Sequence, residues 1–287
     1  MNNLKKENVK LPFTKMSACS NDYIYINCFE NEVASPEFLS IYLSDRHNGV
    51  GGDGVILICP SEVADAKMRM FNRDGSEGMM CGNGIRCVAK FLYDNGFAKK
   101  PLLKIETKSG IRECRVTTMN GKAYRITVDM GAAELAPEKV PVKLEGDMIV
   151  NKPVVIDGHE YYVTCASMGN PHCAVFAPTV DKLDLAASGP KFENNPLFPE
   201  RVNVEFVEVV DEKTLKVRVW ERGNGETMAS GTGACAAVVA ATLNGKCTKG
   251  DDVRVILKGG DLQIQYTDER VLMTGGAEII YNGVVEV

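Results

Sequence analysis

Residues 80–88 read MCGNGIRCV and residues 229–237 read ASGTGACAA, so the chain writes one Gly-x-Gly turn twice, with Gly82 and Gly231 lying 149 positions apart. The repeat is longer than the turn. Aligned without a gap, 67–96 and 216–245 share nine identities: Lys67/Lys216, Arg69/Arg218, Arg73/Arg222, Glu77/Glu226, Met79/Met228, Gly82/Gly231, Gly84/Gly233, Asn95/Asn244 and Gly96/Gly245. Each copy reads as an alternating strand (MRMF, VRVW), a polar glycine loop, and a helix that stops at Asn-Gly, a C-terminal stop signal. A further strand and turn follow each copy, LKIETKSG and VRVILKGG. The spacing is far beyond the roughly 20–50 residues of solenoid repeats, so two related domains are expected instead of an array.

The two helices lack a clear polar face. GTGACAAVVAATLNG carries no charge, and in GNGIRCVAKFLYDNG only Arg86 and Lys90 interrupt before the end. Such a helix is normally buried on all sides. Around them run short β-rich segments such as YIYIN, VILI, YRITVDM, YYVTC, VNVEFVEVV and LQIQY, bounded by Gly, Asn and Asp. The expected fold is α+β: two pseudo-symmetric domains, each a β-barrel-like curved sheet around a central buried helix. Residues 1–131 with 275–287 would form the first half, the final AEIIYNGVVEV returning to complete it, and 132–274 the second.

The chain has 287 residues and a net charge of only −5 without long single-sign runs, so it offers no basic footprint for nucleic acid or an anionic membrane. A small-molecule partner is expected. The opening MNNLKKENVKLPF lacks the apolar centre of a secretory signal, and no stretch approaches the roughly 20 apolar residues of a membrane span. A cytoplasmic location is the expectation. The ten cysteines are scattered with no CxxC pair, and His47, His159 and His172 are isolated, which argues against both a disulfide framework and a metal site.

A helix N-terminus leaves about four backbone N–H groups free and carries roughly half a positive charge, which attracts a carboxylate. A thiol placed there is shifted from about 8.5 towards neutrality, because the helix end favours thiolate. Cys81 falls at such a position. Two helix starts facing across a domain cleft would grip one carboxylate from both sides, and two acid–base groups there would take a proton from one face of an α-carbon and return it to the other.

FTKMSACSNDYIYIN, SDRHNGVGGDG, FNRDGSEGMMCGNGIRC, SMGNPHC, RVNVEFV and WERGNGETMASGTGACA, in that order and over nearly the whole chain, resemble the diaminopimelate epimerase family. The resemblance implies a pyridoxal-phosphate-independent two-base epimerase that needs no cofactor and makes meso-diaminopimelate for lysine and peptidoglycan synthesis; it leaves a homodimer open. Carried over by motif, Cys81 is one acid–base residue and Ser230 occupies the place of the second. Gly82, Asn83, Gly231 and Thr232 would hold the reacting carboxylate, and Asn21, Asn72, Asn170, Asn203, Glu221 and Arg222 the amino groups and the far carboxylate. His172 would support them. Cys87 and Cys235, inside the helices, are expected to be packing residues.

Two departures stand out. The family's second catalytic residue is a cysteine in a run like ACGTG, where this chain has Ala229-Ser230-Gly231-Thr232-Gly233. A hydroxyl is a far weaker acid than a thiol, so the chain as written is expected to be a poor two-base catalyst, either through a Cys-to-Ser exchange made to trap a ligand or as a native variant of altered chemistry. SACSND stands where the family usually has a His-Gly-x-Gly-Asn-Asp run, which leaves room for a related racemase of another amino acid such as histidine. A non-catalytic amino-acid or nucleotide-binding protein is the rival class. GVGGDG at 49–54 fits the dinucleotide fingerprint, but VILI after it reads as a strand where that fingerprint demands a helix.

Overall fold

A computed structural model describes residues 10–287; the opening nine residues, where the absence of a secretory signal was argued from sequence, lie outside the described part. The chain divides into two compact units, with boundaries at Ile126/Thr127 and Gly275/Gly276. The first unit contains β1 (Lys10–Ala18), β2 (Asn21–Asn27), α1 (Pro36–Ser44), β3 (Gly54–Cys59), β4 (Ala66–Asn72), β5 (Glu77–Gly78), α2 (Gly82–Asp94), β6 (Leu102–Thr107) and β7 (Gly110–Met119); β8 (Lys122–Asp129) spans the boundary. The second contains β9 (Lys152–Ile156), β10 (His159–Ser167), β11 (Pro171–Phe176), α3 (Leu185–Glu193), β12 (Asn203–Asp211), β13 (Thr214–Glu221), β14 (Gly225–Thr227), α4 (Gly231–Leu243), β15 (Asp252–Leu257), β16 (Gly260–Tyr266) and β17 (Val271–Gly275). The last strand, β18 (Glu278–Glu286), belongs to the first unit, where it pairs antiparallel with β1 from Lys10↔Glu286 onward.

The two sheets have the same strand order. In the first, β18 and β2 flank β1, β2 runs parallel to β3, β3 antiparallel to β4, β4 parallel to β6, and β6 antiparallel to β7. In the second, β9 and β11 flank β10, β11 runs parallel to β12, β12 antiparallel to β13, β13 parallel to β15, and β15 antiparallel to β16. β18 thus takes in one unit the place that β9 takes in the other. The register is also shared: Ile24 pairs with Val55 and Cys173 with Val204, each residue 149 positions from its counterpart, and α1/α3 and α2/α4 begin at the same offset. The duplication therefore reaches back to β2 and β11, well before the 67–96 segment that shows it in sequence.

Each sheet curls round its second helix. α2 packs on β1, β2, β6 and β7, and α4 on β10–β13 and β15–β17. α4 is buried from Gly233 to Ala241 because every side chain there is small and apolar. α2 buries a guanidinium as well: Arg86, wholly inaccessible, donates to Gly82 O at 3.1 Å, to Asn83 Oδ1 at 2.9 Å and to Gly276 O at 3.1 Å. Cys87 and Cys235 are also fully buried, and loss of solvent pushes the Cys87 thiol up to about 12, so it stays protonated.

The short helices α1 and α3 are not legible in the hydrophobic pattern. α3 exists beside Trp220, whose Nε1 donates to Glu193 Oε2 at 2.7 Å. Gly189 makes the fit possible, since a Cβ there would come within 2.2 Å of the indole.

Candidate active site

Both glycine turns are built in one way. Cys81 is the N-cap of α2, its Sγ accepting the Gly84 N–H at 3.3 Å; Ser230 is the N-cap of α4, its Oγ accepting the Gly233 N–H at 3.1 Å. The hydrogen bond satisfies one of the orphan donors of the first turn and aims each side-chain heteroatom at the helix end. The second glycine of each turn permits close approach to a strand: a Cβ on Gly84 would lie 2.7 Å from Ile56 Cδ1, and one on Gly233 2.8 Å from Glu205 Oε1. The duplicated acid and base before the turn form one ion pair per unit, Arg69 Nε to Glu77 Oε1 and Arg218 Nε to Glu226 Oε1, both at 2.8 Å. These pairs close the β4–β5 and β13–β14 hairpins that lead into the two caps. Asn95 and Asn244 end the helices alike, with Gly96 and Gly245 following in left-handed conformation at φ 82° and 66°.

In the first unit the structure joins Cys81 to Asn21. The thiol donates to Asn21 Oδ1 at 3.3 Å, and Asn21 Nδ2 donates to Asp53 Oδ2 at 2.7 Å. Asp53 also accepts the Asp22 N–H at 3.1 Å, so one carboxylate fixes the β1–β2 hairpin beside the cap. The two central residues of that hairpin, Cys19 and Ser20, hold φ of 52° and 61°. These are left-handed values that glycine adopts freely and other residues at a cost of about 1–2 kcal/mol. SACSND therefore keeps the turn without the glycines. Tyr23, a partner of both Asn21 and Cys81, is buried; burial first, then Cys81 and Asp53, push its phenol well above the usual range. Gly82 and Asn83 are buried in the first turn, Asn83 Oδ1 taken by Arg86. Asn72 donates from Nδ2 to Ser76 Oγ at 3.0 Å, within its own hairpin.

The GVGGDG segment wraps the end of α1. Its N–H groups are already used: Gly49 bonds to Asp45 O, Val50 and Gly51 to Leu43 O, Gly52 to Ser44 O, and Asp53 to Asp22 O. Such a loop has no backbone donors left for a pyrophosphate, and β3 follows it. Lys15, Asp22 and Arg46 lock it to the hairpin, with Arg46 Nη2 2.7 Å from Asp22 Oδ1 and Lys15 Nζ 2.5 Å from Asp22 Oδ2. Burial raises the Asp22 carboxyl, but hydrogen bonds from Arg46 and Lys15 outweigh it and hold the group below the usual carboxylate range. A carboxyl lowered on folding stabilises the fold fully above its unfolded value, near 3.9, and loses that contribution as pH falls through the folded value. Between pH 5 and pH 3 the urea midpoint should therefore fall further in the unmodified protein than in Asp22→Asn, by about 1 kcal/mol at most after screening. Parallel curves would show that the ion pairs contribute nothing there.

In the second unit the candidate residues form a chain of hydrogen bonds. His172 Nδ1 lies 2.7 Å from Glu205 Oε1, and His172 Nε2 lies 2.9 Å from Asn170 Oδ1. Asn170 Nδ2 donates to Thr232 Oγ1 at 3.4 Å, and Thr232 Oγ1 is 3.5 Å from Ser230 Oγ. Asn203, at the start of β12, is used inside the fold: Nδ2 donates to Pro171 O at 2.8 Å and Oδ1 accepts the Arg222 N–H at 3.0 Å. Arg222 Nη1 donates to Glu200 O at 2.7 Å, and Glu221 Oε1 accepts from Thr227 Oγ1 at 2.6 Å. Asp53, Tyr23 and Glu205 were not singled out from sequence. Glu205 carries a readable signal, an acid inside the otherwise apolar run VNVEFV.

The pattern that defines the diaminopimelate epimerases matches residues 13–136 and 164–280. The chain belongs to the diaminopimelate epimerase family. Diaminopimelate epimerases of Acetivibrio thermocellus and Desulfovibrio desulfuricans are 51% and 49% identical to it over 276 and 283 residues, in each case covering 96% of this chain and 98% of the relative. Of solved structures, a hydroxyproline epimerase from Agrobacterium vitis has the same fold, with a TM-score of 0.69 at 13% identity over 97% of this chain and 93% of its own. The protein is thus an isomerase of the epimerase type, with the two-unit architecture expected from its duplication. No helix among the described residues is long and apolar enough to cross a membrane.

Proposed function

We propose that the protein interconverts LL- and meso-diaminopimelate by two-base chemistry without pyridoxal phosphate or metal, in the cytoplasm. The observation that supports this most directly is the repeated cap: one acid–base atom at the start of a buried helix in each unit, Cys81 Sγ and Ser230 Oγ, each held by the N–H two residues into its helix. A helix end favours thiolate over thiol, so Cys81 serves as the base. It takes the α-proton, leaving a carbanion whose charge spreads onto the reacting carboxylate, and position 230 delivers a proton to the opposite face. The remaining N–H groups at the starts of α2 and α4, with Gly82, Asn83, Gly231 and Thr232, receive that carboxylate. Asn21, Asn72, Asn170, Asn203, Glu221 and Arg222 recognise the amino groups and the distal carboxylate, with His172 in support.

Ser230 sets the direction of impairment. A serine hydroxyl is too weak an acid and too poor a base near neutrality to do the work of a thiol. Proton exchange on one stereoisomer therefore persists while inversion is slow. The test is mass-spectrometric exchange of the α-proton in heavy water for each diaminopimelate isomer; absence of exchange with every isomer, at concentrations that bind, would overturn the reading. Arg222→Lys is expected to weaken diaminopimelate sharply, because an ammonium cannot reproduce the fork that grips a carboxylate with two parallel bonds. Monocarboxylate amino acids should suffer less. Equal losses on both would assign Arg222 to holding the loop through Glu200.

A further inference from the structure

Asn21 and Asn170 are counterparts, 149 positions apart, yet their amides are held in opposite senses. Asp53 takes the Asn21 NH2 group, so Asn21 presents its carbonyl oxygen to the cap residue Cys81. His172 faces the Asn170 carbonyl, so Asn170 presents its NH2 group to Thr232 at the start of α4. An amide oxygen can only accept, so His172 Nε2 must carry a hydrogen. His172 is buried, as is Glu205, which meets its other nitrogen at 2.7 Å. The second oxygen of Glu205, Oε2, is buried and meets no hydrogen-bond partner among the described residues. The polar commitment of this side chain is therefore to the histidine ring. In the first unit the counterpart positions hold Tyr23 and Ile56, so no such pair backs Asn21.

We infer that Glu205, resting on the proposed function above, is a positioning residue: it keeps His172 in a form with hydrogen on Nε2 and thereby locks the Asn170 amide with its NH2 group towards Thr232 and the carboxylate-binding end of α4. Both states of the pair do this. If Glu205 is ionised, it accepts from Nδ1 of an imidazolium; if it holds the proton, it donates to Nδ1 of a neutral ring, and Nε2–H remains. Burial raises the Glu205 carboxyl, with His172 opposing, consistent with a proton shared across this contact. Thr232 Oγ1, accepting from Asn170, is left to donate its own hydrogen to Ser230 or to ligand. Were the amide reversed, its oxygen would face an incoming carboxylate and the same atom position would repel instead of attract.

The test uses the full chain, whose Ser230 allows binding to be measured without turnover. Nitrogen-15 spectra of histidine-labelled protein should show His172 with hydrogen on Nε2. In Glu205→Gln the amide donates to Nδ1, so Nε2–H and the affinity for diaminopimelate, measured by calorimetry, should both be kept within about threefold. Glu205→Leu removes the partner, and affinity should fall about tenfold or more, the worth of one hydrogen bond to a charged group. A bare Nε2 in the unmodified protein overturns the inference, as does Glu205→Leu binding at full strength, or Glu205→Gln binding tenfold more weakly with Nε2–H intact. Should Glu205→Leu not fold, the unmodified spectrum and Glu205→Gln decide between them. If the unmodified chain binds no diaminopimelate isomer, the proposed function fails, while the spectra still decide the histidine form.

Discussion

Ser230→Cys is expected to raise the rate of inversion of diaminopimelate by about 10²–10⁴-fold, the usual worth of a general acid–base group. The replacement changes one atom at a position already built for it. Ser230 Oγ accepts the Gly233 N–H at 3.1 Å, as Cys81 Sγ accepts the Gly84 N–H at 3.3 Å. A thiol at the start of α4 meets the same orphan N–H groups and the same helix-end potential as the one at α2. With two thiols, one returns the proton that the other removes, and exchange in heavy water becomes coupled to inversion. A stereochemical assay on both isomers measures the effect directly. Full enzymatic inversion by the chain as written, unchanged in Ser230→Cys, would show that another residue delivers the second proton.

Arg86→Met should lower stability by about 3 kcal/mol. Methionine fills much of the arginine's apolar volume, so the loss is not mainly a cavity. It comes from leaving Gly82 O, Asn83 Oδ1 and Gly276 O buried without the donors they now have, and bonds to a charged donor are worth roughly 1.5–3 kcal/mol each before relaxation. For a chain of this size the melting temperature should drop by roughly 6–12 °C. Gly276 leads into β18, so amide exchange should quicken first along β18 and β1. A shift below about 0.5 kcal/mol would mean that the acceptors find other donors, and that Arg86 contributes packing alone.

The parts of the site that were legible in sequence are those made by neighbours along the chain. Cys81 and Ser230 could be placed at helix starts because the cap bond spans only three residues, and the Asn-Gly stops are equally local. The pairs Arg69/Glu77 and Arg218/Glu226 were visible as identities but not as contacts; a hairpin brings residues eight apart face to face. α1 and α3 escaped notice because each is nine residues long, and α3 depends on Trp220, distant in sequence, for its apolar face. The GVGGDG run was rightly denied the dinucleotide role on its following strand, but its actual use, closing α1 and supplying Asp53 to Asn21, required the parallel pairing of β2 with β3.

What the sequence by itself determined is the duplication, the fold class it implies, and the chemistry available at each helix start, because these rest on periodicity, turn residues and side-chain type. Only the tertiary structure decided how the two copies differ. Asn21 and Asn170 are the same residue at the same place in the repeat, and nothing local distinguishes them. Their amides point oppositely because one meets a carboxylate, which can only accept, and the other a ring nitrogen that must donate. Those partners arrive from strands 30 or more residues away, through register set by the packing of whole sheets, so the sense of each hydrogen bond is a property of the fold and not of the motif.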